Sequence, residues 1–270
     1  MQIPEKLAER LRLLGLNENI YASRTRKCVL SKENLDMEKV PWYSSAYFVP
    51  DGFKTDSLIF DPVSIVPCLA LDPKPDDSIL DMCAAPGTKT YIMCFMANNE
   101  AKITANDINS NRVMRLNANV RKYGLNCTIL NESGRTLEGD FGKILVDAPC
   151  SGEGMINKKD KLFKYWSEKR IRFLAKKQKK LIGKAFRLLR DNGTLVYSTC
   201  TFAPEENEAI VDFLLRKNDN AEVMSINASV RHSDGVTSWN GKEFNDQTSK
   251  CMRIYPGDTG GFFVAKISKV

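Results

Sequence analysis

From about residue 61 the chain alternates short runs rich in β-branched residues with amphipathic stretches. Apolar runs at 78–82, 102–106, 127–130, 143–146, 194–198, 222–226 and 262–266 predict seven strands. The stretches 89–97, 110–123, 167–189 and 204–216 predict helices, the last opening on Pro204 with Glu205 and Glu206 favourably placed against the helix dipole. Strand and helix in regular succession predict an α/β fold with a doubly wound, mostly parallel sheet. The first 60 residues follow another pattern. Leu7, Leu11, Leu13, Leu14 and Leu16 set among charges predict an amphipathic helix over 5–16, ended by Gly15 and Asn17. A basic patch (Arg24, Arg26, Lys27) and an aromatic segment (Trp42, Tyr43, Tyr47, Phe48) come next. Those aromatics suit either core packing or stacking on nucleobases. The expected division is a short N-terminal extension, 1–60, and a main domain, 61–270.

Composition narrows the function. With 270 residues, 43% apolar and 27% charged, the chain is long enough for one full core. The start lacks a secretory pattern and no apolar run approaches a membrane span, so a cytoplasmic, membrane-free protein is expected. Eight single cysteines without a CxxC pair argue against a disulfide framework and a zinc ribbon, and no metal is expected. His232, the only histidine, stands in a polar stretch that reads as a surface loop rather than a catalytic base. The formal charge is +7, yet residues 158–190 hold 14 basic and two acidic side chains, a local +12 that leaves −5 for the rest. Such a run is either a solvated helix face or a nucleic-acid surface.

In doubly wound sheets ligands bind at the carboxyl ends of the strands, so those loops carry the chemistry. The first, from Asp81 to Thr90, superficially looks like a phosphate loop, but Thr88 and Cys83 stand where a Walker A needs glycines, which disfavours ATP and GTP. Its small residues let the backbone approach a ligand, or serve packing alone. Asp107, after the second strand, is placed to accept from ribose hydroxyls or to start the following helix. Cys150 and Cys200 sit just past neighbouring strand ends, with Asp147 three residues before the former. A lone free cysteine is most often a small buried hydrophobe, but two at a ligand-binding edge beside a carboxylate suggest nucleophilic chemistry.

The segments DMCAAPGTKT, VDAPCSGEGM and YSTCTFAPEENEAIV closely resemble the signature blocks of the Sun-domain (Nop2/Fmu-type) RNA cytosine-C5 methyltransferases, and the likeness extends over residues 40–270. The resemblance implies a Rossmann-like class I methyltransferase fold with a seven-stranded sheet, and S-adenosylmethionine as cofactor. Cytosine C5 is a weak nucleophile until a thiolate adds to C6, and an ordinary thiol titrates near about 8.5, so the site must favour that thiolate or take its proton. By resemblance Cys200 is the nucleophile, Asp147 acts at the ring's N3 edge, and Cys150 assists loss of the C5 proton and release. Cys150 as the attacker, as in the Pro-Cys motif of DNA cytosine-C5 methyltransferases, is the alternative. Cofactor contacts are implied for Cys83, Ala84, Ala85, Pro86, Gly87, Thr88, Lys89, Asp107, Ser133 and Asp147. Three positions depart from the family pattern: Thr88 where many relatives have Gly, Ser133 where an adenine-binding Asp is usual, and Phe60 where Gln is common.

The base must leave its stack to reach a buried thiol, which requires a surface that grips the RNA backbone. Lys158, Lys159, Lys176, Lys177, Lys179 and Lys180, soon after the Cys150 loop, are the expected RNA contacts, together with the extension 1–60. No PUA-type domain is expected after the last strand, and compact members of that kind resemble archaeal tRNA methyltransferases. The expected partner is therefore RNA, tRNA ahead of ribosomal RNA, bound by a monomer; a catalytically weak RNA-binding assembly factor on the same fold is the other reading.

Overall fold

The computed structural model describes residues 3–22, 24–158 and 164–270, with the backbone alone at 156–158. The leucine spacing near the start forms α1 (Glu5–Leu13), which ends ahead of Gly15 at a left-handed φ of 72°. Next comes a three-stranded antiparallel sheet in which β1 (Lys27–Leu30) and β2 (Lys39–Val40) flank β3 (Tyr43–Val49). The aromatic segment here is core: Tyr47 and Phe48 are buried, and Trp42 and Tyr43 lie against the main hydrophobic cluster. Cys28, Leu30, Ala46 and Phe48 share that cluster with Leu145 and Val196, so one face of the small sheet is continuous with the interior of residues 61–270. A helix absent from the sequence reading, α2 (Ile65–Leu71), carries Pro67 in its first turn, where a missing N–H costs nothing.

The main sheet is built from β4 (Ser78–Asp81), α3 (Thr88–Met96), β5 (Lys102–Asn106), α4 (Ser110–Lys122), β6 (Cys127–Leu130), β7 (Phe141–Asp147), α5 (Glu168–Leu188), β8 (Leu189–Thr199), α6 (Glu208–Leu215) and β9 (Ala221–Met224). Then follow β10 (His232–Asp234), a small hairpin of β11 (Ser238–Trp239) and β12 (Lys242–Glu243), β13 (Met252–Ile254) and β14 (Phe262–Lys269). The strand order is β10-β13-β14-β8-β7-β4-β5-β6, with β9 also on β14. The five strands β6, β5, β4, β7 and β8 run parallel, and β14 is antiparallel to β8.

Nine strands thus stand where seven were predicted. The seven form the expected doubly wound sheet, and β10 and β13 extend it at one edge. β10 is three residues long and exposed throughout, so no apolar run marks it, and β13, though buried, is also only three residues long with Arg253 at its centre. His232 lies there, exposed, its Nδ1 2.7 Å from the Val230 carbonyl. The helix predicted from 204 begins instead at Glu208, since Asn207 has a non-helical φ of −115° and ψ of −100°.

Period-2 burial on both faces explains why the strands read as continuous apolar runs. Ile79, Leu145, Val196 and Val264 point to the side covered by α2 and α3. Their neighbours Leu80, Val146, Tyr197 and Phe263 point to the side covered by α5 and α6. A buried ion pair ties the last strands to α6. Arg253 Nε and Nη2 each donate to Glu208 at 2.6 Å, and Nη1 donates to the Phe202 carbonyl at 3.0 Å. Burial works against the Arg253 charge, yet Glu208 beside it holds the guanidinium pKa above its ordinary value. Replacing one partner strands the other charge in the interior. Arg253→Met is expected to lose about 3–5 kcal/mol in urea unfolding, and adding Glu208→Leu to recover most of it.

Candidate active site

Five parallel strands end on one side of the sheet, and their C-terminal loops enclose a cavity of about 770 Å³, within the range of small-molecule sites. Met82 and Cys83 line it beyond β4, Asp107 and Ile108 beyond β5, and Ser133 to Arg135 beyond β6. Asp147 to Cys150 close it beyond β7, Cys200 beyond β8, and α5 walls the remaining side with Phe173, Lys176, Lys177, Lys180 and Leu181. Asn106 knits the strand ends together. Its amide donates to the carbonyls of Met82 and Glu132, both at 3.1 Å, and accepts from Glu132 N–H at 2.9 Å.

Parallel pairing of β7 with β8 sets Asp147 opposite Ser198, whose hydroxyl donates to Asp147 Oδ1 at 2.9 Å. Lys89 Nζ donates to Oδ2 at 2.6 Å. Burial disfavours the Lys89 ammonium, but Asp147 outweighs it and raises the pKa. A few residues further on, Cys150 Sγ stands 3.2 Å from Cys200 Sγ and accepts from the Cys200 backbone N–H at 3.3 Å. The hydrogen bond to Cys200 and burial push the Cys150 thiol well above its ordinary pKa.

Buried carboxylates hold these loops. Glu153 accepts from Trp166 Nε1 at 2.8 Å and from Thr201 Oγ1 and Phe202 N–H, both at 3.1 Å. Burial pushes Glu206 up to about 7, partly offset by hydrogen bonds from Ser151 and Gln178. Glu205 is paired from outside, with Arg10 donating to its two oxygens at 3.0 and 2.6 Å. On that pair rests α1, whose Leu7 and Leu11 meet Tyr21 and Phe202.

Of the residues expected from sequence, Cys83, Asp107, Ser133, Asp147, Cys150, Cys200, Lys176, Lys177 and Lys180 meet at this cavity. Ala84, Ala85, Pro86, Gly87, Thr88 and Lys89 are not among its lining residues. Gly87 instead lets the turn approach α4, since a Cβ there would come within 2.8 Å of Leu116. Lys179 turns away and lies over the Phe213 ring at 5.1 Å. Lys159 and the side chain of Lys158 lie outside the described residues. Phe60 is buried in the core, its backbone paired with Cys28. Arg10, Glu153, Gln178 and Glu206 were not anticipated. Gln178 had a signal, as the one polar residue in the apolar stripe of α5, among Ile171, Leu174, Ala175 and Ile182.

The cavity suits a nucleoside. Asp107 is 2% exposed; its Oδ1 accepts from Asn109 N–H at 2.9 Å. Its Oδ2 has no hydrogen bond, although Arg112 Nη1 lies 3.0 Å away. That buried acceptor at the end of the second parallel strand fits a ribose diol, with the exposed side chain of Ile108 next to it as an apolar surface for a base. Ser133, at the cavity wall beyond the third strand, offers a hydroxyl where a carboxylate would be usual. The sheet and this cavity define a doubly wound α/β protein with a nucleoside-sized site at its strand ends.

Within that class, the model of the family "16S rRNA methyltransferase RsmB/F" matches residues 68–268. The chain belongs to this family of S-adenosylmethionine-dependent RNA cytosine-C5 methyltransferases. The tRNA (cytosine(49)-C(5))-methyltransferase of Pyrococcus abyssi is 38% identical over 257 residues, covering 89% of this chain and 82% of that protein. The 26S rRNA (cytosine-C(5))-methyltransferase nsun-1 of Caenorhabditis elegans is 32% identical and matches 98% of this chain, which spans only 40% of its length. Among solved structures, a methyltransferase homolog protein from Pyrococcus horikoshii superposes with a TM-score of 0.80 at 26% identity, covering 99% of this chain and 100% of that one. NSun6 from P. horikoshii, solved with the S-adenosylmethionine analogue SFG, gives 0.66 at 32% identity over 88% of this chain and 56% of its own. Among the described residues no group of side chains is arranged to hold a metal ion, and no helix is long and apolar enough to cross a membrane.

One carboxyl under the cavity sets a pH dependence. Burial pushes Asp81 from 3.8 up to about 7, against a hydrogen bond from Thr90 Oγ1 at 2.7 Å. A raised carboxyl pKa means the folded state holds a proton the unfolded chain has released, so this contribution to stability is lost as pH rises through 7. Asp81→Asn keeps the shape without the charge. It is expected to reduce the fall in melting temperature between about pH 5 and about pH 8, as followed by thermal denaturation.

Proposed function

We propose that this chain methylates C5 of a cytosine in tRNA, with Cys200 as the nucleophile and Cys150 as the residue that assists release. The observation that carries the reading is the pair of sulfurs 3.2 Å apart at the cavity, Cys150 beyond β7 and Cys200 beyond β8. Of the two, the cysteine of the Thr-Cys segment is the nucleophile that the family resemblance implies, which gives attack on C6 to Cys200. Bound S-adenosylmethionine supplies an electrophilic methyl group, and Asp107, Ser133 and Cys83 are the residues that would hold its nucleoside end. Addition of the Cys200 sulfur to C6 makes C5 electron-rich. Asp147, fixed between Lys89 and Ser198, meets the N3 edge of the ring, where charge changes as the adduct forms. After C5 has gained its methyl group, Cys150 as thiolate takes the C5 proton, the C5–H electrons restore the C5–C6 double bond, and the Cys200–C6 bond breaks with its electrons on sulfur, regenerating the Cys200 thiolate and an aromatic ring.

The choice of tRNA rests on the Pyrococcus abyssi tRNA methyltransferase, of which the chain spans 82%, against 41% of the Vibrio cholerae ribosomal RNA small subunit methyltransferase F. Bisulfite sequencing of RNA from cells with and without the gene decides it, since a site lost only from ribosomal RNA would overturn the assignment. The cysteine roles are read on denaturing gels. Cys150→Ala is expected to accumulate a covalent RNA adduct and Cys200→Ala to form none, and the opposite pattern makes Cys150 the nucleophile.

Lys176, Lys177 and Lys180 stand exposed at the cavity wall and are the proposed grip on the RNA backbone. Changing these three to Gln is expected to weaken RNA binding and flatten its dependence on log salt by about 2, with cofactor binding spared. Lys179→Gln, at the residue turned toward Phe213, is expected to leave the slope unchanged.

A further inference from the structure

The peptide groups on both sides of Cys150 are held by one buried pair of side chains. Gln178 Nε2 donates to the Pro149 carbonyl at 2.9 Å and to Glu206 Oε2 at 2.8 Å. Glu206 in turn accepts the Ser151 N–H, at 3.1 Å to Oε2 and 3.3 Å to Oε1. Gln178 and Glu206 are both 0% exposed. The amide is kept for its donors: both its neighbours are acceptors, and its own Oε1 is buried with no hydrogen-bond partner. A buried amide with half its polar capacity unused costs stability, so packing gives no reason for a glutamine at this position of the apolar stripe. The loop around Cys200 touches the Cys150 loop, with Ser151 Oγ 2.7 Å from Thr201 Oγ1 and Gly154 N–H donating to the Cys200 carbonyl at 2.9 Å, and it also has supports on its own strand-to-helix connection. Thr199 Oγ1 donates to Asn207 Oδ1 at 2.6 Å and Asn207 Nδ2 to the Thr201 carbonyl at 2.9 Å.

We propose that Gln178 and Glu206 are positioning residues for Cys150, so that release of the methylated base depends on them while attack by Cys200 does not. The inference rests on the roles proposed above for the two cysteines. A sulfur displaced by a fraction of an ångström no longer meets the C5 proton in line, whereas the nucleophile keeps the anchors that Asn207 gives to Thr199 and Thr201 on either side of it. Neither side chain touches the cavity, and each acts through the backbone of residues 149 and 151.

The test uses the full-length protein, S-adenosylmethionine and a tRNA transcript that the wild-type chain methylates. Gln178→Met keeps the volume and removes the donors. It is expected to form the covalent adduct at close to the wild-type rate and to release it about tenfold or more slowly. In a Cys150→Ala background the same substitution is expected to slow release no further, an epistasis that general loosening of the fold would not produce. Glu206→Gln approaches the pair from its other end and is expected to give the same split, which covers failure of the first variant to fold. Equal slowing of attack and release, or an undiminished effect of Gln178→Met in the Cys150→Ala background, overturns the positioning role. If Cys150→Ala forms no adduct at all, the cysteine roles themselves fall, and the positioning proposal with them.

Discussion

The parallel pairing of β7 with β8 places Asp147 opposite Ser198, and the chemistry of the site follows from that register. Cys150 lies three residues past one strand and Cys200 two past the matched residue on the other, so the loops deliver two sulfurs to within 3.2 Å. A slip of one residue would move one cysteine by about 3.3 Å along the strand and turn every buried side chain to the wrong face. Both faces of these strands are buried, one under α2 and the other under α5 and α6. That two-sided burial holds the register, and the register holds the sulfurs.

Keeping two loops rigid at a sheet edge requires partners for many backbone groups, and this chain supplies them with acids. Glu205, Glu206 and Glu208 follow one another closely but point to three places: α1 through Arg10, the Cys150 loop through Ser151, and the last strands through Arg253. Glu153 crosses from the other loop to meet Thr201 and Phe202. Burying three of these carboxylates, Glu153, Glu206 and Glu208, is costly unless each is paired or hydrogen-bonded, and each one is. The raised pKa of Glu206 and of Glu153 records the remaining cost.

Much of this was legible in the sequence. Two-sided burial gives continuous apolar runs, so the strands declared themselves, and the ligand edge of the sheet directed attention to Asp107, Asp147, Cys150 and Cys200. Less legible were elements whose local signal is weak or misleading: α2 with its internal Pro67, and β10 with no buried residue. The acids at 205 and 206 read as a helix start because their chain position suits one, whereas tertiary hydrogen bonds draw Glu206 and Asn207 inward and delay the helix to Glu208. Within the turn 84–89, which lies outside the cavity lining, Gly87 lets α4 come close and Lys89 reaches Asp147. Gln178 shows that a polar residue inside an apolar stripe is a question that only the folded chain answers.

The contact between Arg10 and Glu205 also bears on the order of events as the chain is made. Its partners are 195 residues apart, so α1 leaves the ribosome with its apolar face uncovered and waits on the order of 10 s for the segment it docks against. The helix synthesised first is therefore among the last to find its place. β14, which pairs with β8, comes later still in the chain, so the sheet itself closes only after the loop beside Cys200 has been made.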